Sequence, residues 1–299
     1  MAASDLHVPV LLDEVLELLA PERGGVFVDA TLGMGGHAEA ILDRAEAAGK
    51  KVRLIGIDQD QQALGFSQER LGERTEYAWG NFAQMKDLLH KREINQVDGI
   101  LMDLGVSSFQ IDTAERGFSF THDGPLDMRM DQTISITAQS IVNTWPEHRL
   151  VELLRSQGEE HLAHRIVRTI LTKRKEGTIH TTHELAELIR GCYPAALRYK
   201  NPHPAMRTFQ AIRMQVNEEQ YALDKGLKQA VELLAPGGRL VVISFHSLED
   251  RPVKHFFRDL AKEGEYRLLN KKPLEATFEE LKKNSRARSA KVRGIERLA

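Results

Sequence analysis

Between Val26 and Ala38 the chain reads Val-Phe-Val-Asp-Ala-Thr-Leu-Gly-Met-Gly-Gly-His-Ala, a short apolar run that ends on an acid and opens into glycines. A run of that length, closed by a turn and followed by a helical segment, predicts a buried strand that hands its end to a helix. Gly33, Gly35 and Gly36 can take positive φ and let a ligand approach the backbone. The helix beginning near His37 points N–H groups at the same place. The segment reads as a ligand-binding turn of an α/β sheet.

Two later runs repeat the pattern. Arg53-Leu-Ile-Gly-Ile57 ends at Asp58 and Val97-Asp-Gly-Ile-Leu-Met102 ends at Asp103, so with Asp29 three expected strands finish on carboxylates. In a doubly wound sheet the carboxyl ends of the strands line one crevice. Gly33-x-Gly35-x-x-Ala38, with Asp58 twenty residues further on, also satisfies the dinucleotide fingerprint. The glycines therefore leave a nicotinamide-dependent oxidoreductase open. Three carboxylates would repel a pyrophosphate by roughly 4 kcal/mol per close pair at intermediate dielectric, whereas they suit a cation. S-adenosylmethionine carries a sulfonium, an ammonium, one carboxylate and a ribose diol. It matches Asp29 near the amino-acid end, Asp58 on the ribose and Asp103 near the reacting centre, which favours methyl transfer over hydride transfer.

At 299 residues, 41% hydrophobic and 28% charged, the chain has the make-up of an ordinary globular protein and the length for two domains. No apolar stretch approaches the ~20 residues of a membrane-spanning helix, and the N-terminus lacks a basic region followed by an apolar one. A cytoplasmic location is expected, with no membrane partner. Cys192 is the single cysteine, which excludes an intrachain disulfide and a cysteine zinc cluster. It lies far from the glycine loop and reads as a small buried hydrophobe, so attack by an exocyclic amine or hydroxyl is favoured over thiolate chemistry. The pairs His161/His164 and His180/His183 have metal-like spacing but no cysteine beside them, and no metal is expected. The net charge of -2 says less than its distribution. Lys282, Lys283, Arg286, Arg288, Lys291 and Arg293 form one run without an acid, and Arg198, Lys200, Arg207 and Arg213 another. Two such runs point to a phosphate-binding face.

Strands and helices alternate up to Gly105: a helix over Pro9–Leu19, then Val26–Asp29, a helix to Ala48, Arg53–Asp58, a helix over Gln61–Leu71, Glu76–Trp79, a helix over Ala83–Glu93, and Gly99–Asp103. This predicts a parallel sheet. The next strong apolar strand is Arg239–Phe245, preceded by a helix over Asn217–Leu234. The interval before them reads as helices over Ile136–Val142, Glu147–Ser156, Leu162–Lys173, Thr182–Gly191 and Met206–Val216. The fold class expected is α/β with an all-helical insert. Residues 1–112 and 216–299 make a discontinuous domain, and 113–215 the insert, taken as the substrate-recognition domain. Tyr266–Leu269 and Val292–Leu298 are expected to form a final antiparallel pair, with Lys282–Lys291 as the connecting loop. Ser107–Asp131 has no clean period, and long irregular segments in compact domains are commonly binding loops. Within it Phe118 and Phe120 either anchor the loop or face a base, and Asp127, Arg129 and Asp131 form an ion-pair network.

The motifs His7-Val-Pro-Val, Asp29-Ala-Thr-Leu-Gly-Met-Gly-Gly-His37, Gly56-Ile-Asp58, Asp103-Leu-Gly-Val-Ser-Ser108, Glu115-Arg-Gly-Phe-Ser-Phe120, Asp123-Gly-Pro-Leu-Asp-Met-Arg-Met-Asp131, Arg207-Thr-Phe-Gln-Ala-Ile-Arg213 and Ser244-Phe-His-Ser-Leu-Glu-Asp250 span nearly the whole chain. Through them it resembles the RsmH family, also called MraW, of ribosomal RNA small-subunit methyltransferases. The resemblance implies a Rossmann-like class I S-adenosylmethionine-dependent methyltransferase domain carrying a helical insert. It also implies N4 methylation of a cytidine in the decoding region of 16S rRNA, with the small ribosomal subunit as partner; a homodimer is compatible with the family. By the family's pattern, cofactor contacts fall on Gly35, Gly36, His37, Asp58, Phe82, Asp103 and Gln110, to which the residue reading adds Asp29 and Gly33. Amine methyltransferases often carry an Asp/Asn/Ser-Pro-Pro-aromatic motif after strand four, and here that slot holds Asp103-Leu-Gly-Val-Ser-Ser. Asp103 and the carbonyls after it are expected to orient the amine, and Phe118 or Trp145 to stack on a flipped base. Trp145 also precedes Pro146 and a helix, the place of a hydrophobic staple. His246, at a strand end, is expected to position substrate or to make a buried structural hydrogen bond. A non-catalytic ribosome assembly factor that keeps the cofactor as a structural ligand is the other alternative.

Overall fold

The computed structural model describes residues 9–199 and 202–299. His7 and Val8 of the first motif and Lys200 of the second basic run lie outside the described residues. The strands are β1 (Gly25–Asp29), β2 (Val52–Asp58), β3 (Thr75–Trp79), β4 (Val97–Asp103), β5 (Leu234–Ser244), β6 (Tyr266–Leu268), β7 (Leu274–Glu275) and β8 (Lys291–Arg297). The helices are α1 (Leu12–Leu19), α2 (Gly36–Ala47), α3 (Gln61–Leu71), α4 (Met85–His90), α5 (Ser108–Asp112), α6 (Ala138–Thr144), α7 (Glu147–Ser156), α8 (Ala163–Glu176), α9 (Thr182–Gly191), α10 (Met206–Val216), α11 (Glu219–Leu233), α12 (Ser247–Glu263) and α13 (Phe278–Lys283). They fall into two compact units, one from Met1–Gly105 with Gln220–Ala299 and the other from Val106–Glu219.

In the first unit the strands form one sheet in the order β3-β2-β1-β4-β5-β8-β6, with β7 also paired to β8. β1 to β5 are parallel, and β8 runs antiparallel to β5, β6 and β7. Their continuous apolar character follows from burial on both faces. Val28, Ile55, Ile57, Ile100 and Val242 face one core with α4, α11 and α12, while Phe27, Leu54, Leu101, Val241 and Ile243 face another with α1, α2 and α3. β1 has β2 on one side and β4 on the other. The connections after β1 and β4 therefore leave in opposite directions, which opens a crevice at their carboxyl ends. This is an α/β Rossmann-like sheet interrupted by a helical insertion.

Two local expectations are corrected. The stretch Lys282–Lys291 is not an open loop: Thr277 caps α13 through the Glu280 N–H, a short helical turn follows over Ser285–Ser289, and Ala287 and Ala290 are buried in the core. Its charges are also less available than their number suggests. Arg293 is only 8% exposed and donates to Asp250 at 2.7 and 3.2 Å. In the second basic run, Arg213 is paired to Glu219 at 2.8 and 2.7 Å. Each run supplies structural ion pairs as well as surface charge.

The insert has its own core, in which Leu150, Leu154, Ile166, Ile170, Leu185 and Phe209 from its helices meet Phe118, Leu126, Met128 and Met130. Part of the irregular segment is thus buried scaffold. Asn217 secures it, accepting the Met130 N–H through Oδ1 and donating to the Met128 carbonyl through Nδ2, both at 2.8 Å. At the other end Ser107 and Gln110 form a capping box on α5. Both ties lie within the second compact unit, Val106–Glu219. Arg129 grips Asp127 through two hydrogen bonds and donates to the Gln132 and Ile134 carbonyls, while Asp131 caps Thr133. Cys192 is buried in the insert with its Sγ beside the Leu188 carbonyl. No helix among the described residues is long and apolar enough to cross a membrane.

Candidate active site

β1, β2 and β4 end on Asp29, Asp58 and Asp103, and the loop after β1 is organised around them. Asp58 Oδ2 accepts the Gly33 N–H at 2.7 Å and Oδ1 accepts the Asp60 N–H at 2.8 Å. The acid thereby holds the glycine turn in shape. Asp29 Oδ1 accepts the Thr31 N–H at 3.2 Å, and Thr31 Oγ1 in turn accepts the Asp103 N–H at 2.6 Å. Thr31 therefore stitches the end of β1 to the end of β4. Sequence reading passed over it, although an acid two residues before a hydroxyl residue is a recognisable local turn pattern.

The glycines divide by role. Gly35 sits at the start of α2 with φ 78°, and a Cβ there would stand 2.9 Å from Leu71 Cδ1; one on Gly36 would stand 2.7 Å from Pro9 Cγ. Those two glycines answer to the protein's own packing, and Gly36 lacks the positive φ expected of it. Gly33, at φ 53°, would direct a Cβ into open space, with the Thr31 carbonyl oxygen 3.9 Å away as its near neighbour. Of the three, Gly33 is the one that leaves room for a ligand against the backbone.

His37, in the first turn of α2, is buried and stands between two elements. Its Nε2 is 3.0 Å from the Val10 carbonyl oxygen and its Nδ1 is 3.6 Å from Asp103 Oδ2. A carbonyl only accepts, so Nε2 carries hydrogen and a neutral ring turns its bare Nδ1 toward Asp103. That arrangement asks for one proton between His37 and Asp103. Burial, and then the charges of Asp29 and Glu249, push the Asp103 carboxyl well above the usual range. Its Oδ1 is buried with no hydrogen-bond partner among the described residues. Burial likewise pushes Asp29 up to about 7, against the Thr31 N–H and with help from the Asp58 charge. Asp58 is pushed up to about 6 by burial, against the Asp60 and Gly33 N–H groups. Three acids that resist ionisation at the end of one sheet make a site that gains from a positive ligand.

Phe82 is half-buried and packs where Gly226 on α11 has no side chain, since a Cβ there would fall 2.5 Å from its ring. His246 follows β5, and its Nε2 lies 3.1 Å from Glu249 Oε1. Glu249, 4% exposed, also accepts the Phe245 N–H through Oε2 at 2.7 Å. This acid was not singled out from the sequence, although its i,i+3 spacing from His246 at a helix start was available. Gln110, Phe118 and Trp145 belong to the insert. Gln110 Oε1 accepts the Ser107 N–H at 3.1 Å. Phe118, at 8% exposure, packs in the insert core, and a ring so covered has little face to offer a base. Phe120 stacks on His203 at 4.7 Å. Trp145 is half-buried against the same core with the Arg149 guanidinium 4.2 Å from its ring centre.

Residues 4–298 match the family model described as the MraW methylase family. Proteins called ribosomal RNA small subunit methyltransferase H from Carboxydothermus hydrogenoformans and Symbiobacterium thermophilum are 47% and 45% identical, over 98% of this chain and 98% and 96% of their own lengths. Among solved structures, an rRNA methylase from Streptococcus thermophilus is similar with a TM-score of 0.44 at 12% identity, covering 96% of this chain and 94% of that one. The fold rests on the strand order described above, not on that distant likeness. With a family match over almost the whole chain and full-length relatives at this identity, the chain belongs to the MraW methylase family.

Proposed function

We propose that this chain transfers the methyl group of S-adenosylmethionine to the exocyclic N4 of a cytidine in the decoding region of 16S rRNA, within the small ribosomal subunit and in the cytoplasm. Family membership supports the transfer and the substrate class. The observation that carries the site is the set of carboxyls at the switch point of the sheet, Asp29 buried and Asp58 and Asp103 half-buried, each held above the usual carboxylate range.

The residues present fit such a donor. Asp103 Oδ1 is a buried oxygen without a partner among the described residues, and Gly33 faces open space. Asp29 is assigned to the ammonium end and Asp58 to the ribose, with Gly33, Gly35, Gly36 and His37 forming the turn against it. Phe82 and Gln110 are assigned on the family's pattern alone. When bound, S-adenosylmethionine supplies an electrophilic methyl group on a sulfonium. Cytosine N4 has a delocalised lone pair, so the protein's share is alignment and proton removal. A cation beside Asp103 favours its ionised form, which arms the carboxylate as a base only when the donor is in place. With the donor bound, Asp103 would accept the proton that N4 loses on methylation. His37 Nδ1, facing Asp103, is placed to pass that proton on. Of the two aromatics considered for the flipped base, half-buried Trp145 suits the role better than Phe118, and His246 is assigned to positioning the substrate.

Calorimetry should show binding of S-adenosylhomocysteine and none of NADH; the reverse would sink the methyl-transfer reading. Labelled S-adenosylmethionine and small subunits, followed by mapping of the modified base, should place the label on one cytidine N4. Asp103→Asn should keep subunit binding while losing about 10²-fold or more in kcat at saturating cofactor, the scale of general-base catalysis. Full transfer by Asp103→Ala would show that the proton goes elsewhere.

A further inference from the structure

A cavity of about 380 Å³ opens beside the carboxyl end of β5, lined by the first turns of α12 and by Ser289 and Lys291. Its walls carry Arg251 and Lys254 from α12, Lys291 from β8, and the hydroxyls of Ser247 and Ser289, with Asp250 as the acid among them. That acid is already compensated, because Arg293 donates to both of its oxygens at 2.7 and 3.2 Å. The neighbouring acid Glu249 is engaged with the Phe245 N–H and with His246. Lys291 has Glu275 4.0 Å away, both side chains well exposed, and such a pair is held weakly. With Asp250 held by Arg293, Lys254 and Lys291 leave the cavity positively charged. The positive end of the α12 dipole adds to it in the same direction.

Its place in the sheet ties it to the reacting centre. β5 lies beside β4, with Asp103 opposite Ile243. A Cβ on Gly105, just after Asp103, would stand 3.6 Å from the Phe245 ring that lines the cavity. We infer that this cavity is a subsite for a phosphodiester of single-stranded RNA flanking the nucleotide whose base reaches Asp103. Lys254 and Lys291 face the phosphate oxygens, and the Ser289 hydroxyl donates to them. This rests on the methyl-transfer reading above and adds to it where the strand is held. The contiguous basic run did not reveal the group, because Lys254 comes from α12.

The test is fluorescence anisotropy of a fluorescein-labelled single-stranded RNA oligonucleotide, titrated with the full chain at a series of salt concentrations. The parent is compared with Lys254→Gln/Lys291→Gln and with the control pair Lys50→Gln/Lys51→Gln, which removes equal charge from exposed positions at the amino end of β2. On single strands each phosphate contact contributes about 0.7 to the slope of log affinity against log salt. The cavity variant should lose about 0.7 to 1.4 of slope and bind roughly tenfold more weakly. S-adenosylhomocysteine binding should stay at the parent value, and the control pair should keep the parent slope. A parent-like slope in the cavity variant overturns the subsite and leaves the methyl-transfer reading standing. A parent that neither binds the oligonucleotide nor labels small subunits overturns both.

Discussion

Replacing Asp29 by asparagine should stabilise the ligand-free protein at high pH while weakening its hold on the cofactor. Asp29 is 2% exposed, and burial pushes its carboxyl up to about 7. In the unfolded chain the group ionises near about 3.9. Between those values the folded state binds a proton that the unfolded state has lost, so stability falls as pH rises until the folded value is passed. From about pH 5 to about 7 is roughly two units at about 1.4 kcal/mol each, so this one group costs the parent about 3 kcal/mol on going to about pH 8.5. An amide does not titrate and can still accept the Thr31 N–H. The stability difference, variant minus parent, should therefore grow by about 3 kcal/mol over that range. Trp79 and Trp145 are the chain's two tryptophans, one in each unit. Urea unfolding of both proteins in a Trp145→Phe background, followed by fluorescence, reads the sheet unit through Trp79. The Asn variant should also bind S-adenosylmethionine at least about tenfold more weakly at the upper pH, the loss of one close charge pair. If the stability difference between variant and parent stays constant with pH, burial does not hold Asp29 neutral, and the electrostatic argument for a cationic ligand fails.

Cofactor affinity itself should rise with pH. The ammonium beside Asp29, pushed up to about 7, and the ribose hydroxyls donating to Asp58, pushed up to about 6, both favour the ionised carboxyl, so binding releases protons below those values and the association constant climbs by up to about tenfold per unit per group. Calorimetry in buffers of differing ionisation enthalpy would count the protons, and a pH-independent affinity between about pH 5 and 7 would contradict the assignment. Gly35→Ala meets Leu71 at 2.9 Å in a left-handed conformation and should cost about 2 kcal/mol or more in stability, whereas Gly33→Ala has open space and should cost about 1 kcal/mol and act mainly on cofactor affinity. Equal effects on unfolding would undo that division. Arg293→Met leaves half-buried Asp250 without its partner and should cost up to about 3 kcal/mol by denaturant unfolding, most of it recovered when Asp250→Leu is added. No recovery in the double variant would mean that the loss lies in packing rather than in a stranded charge.

Much of the sheet could be read from local pattern because parallel strands buried on both faces must be apolar throughout. Gln61–Leu71, Glu147–Ser156, Thr182–Gly191 and Met206–Val216 were expected at the bounds they occupy, where strong amphipathic spacing coincides with caps such as Asp60 and Thr181. Elsewhere periodicity failed for definable reasons. α5 is a single capped turn, too short to show a period, and was signalled only by Ser107-x-x-Gln110. The basic stretch after Lys282 looked like loop because its small buried residues, Ala287 and Ala290, carry little hydrophobic signal. The segment from Ser107 to Asp131 looked like a surface binding loop because irregular backbone has no pattern to show that Leu126, Met128 and Met130 are interior. The candidate site followed the same division. That Asp29, Asp58 and Asp103 end strands was legible because each closes an apolar run, while Thr31 and Glu249 were passed over because their partners come from other strands or from the turn of a helix.

The sequence by itself determined the alternation of strands and helices up to Gly105, the acid at the end of each of three strands, the presence of a helical insert and the family resemblance. Those features reside in residue order, in apolar periodicity and in short motifs, all of which survive without coordinates. Only the tertiary structure decided which glycine faces open space and which two are filled by Leu71 and Pro9. It also decided that Asp58 holds the turn, that His37 faces Asp103, and that Arg293 is buried on Asp250 while Lys291 and Lys254 share a cavity. The physical reason is the same in each case. What a polar group does depends on its burial and on partners distant in sequence, and residue order alone specifies neither.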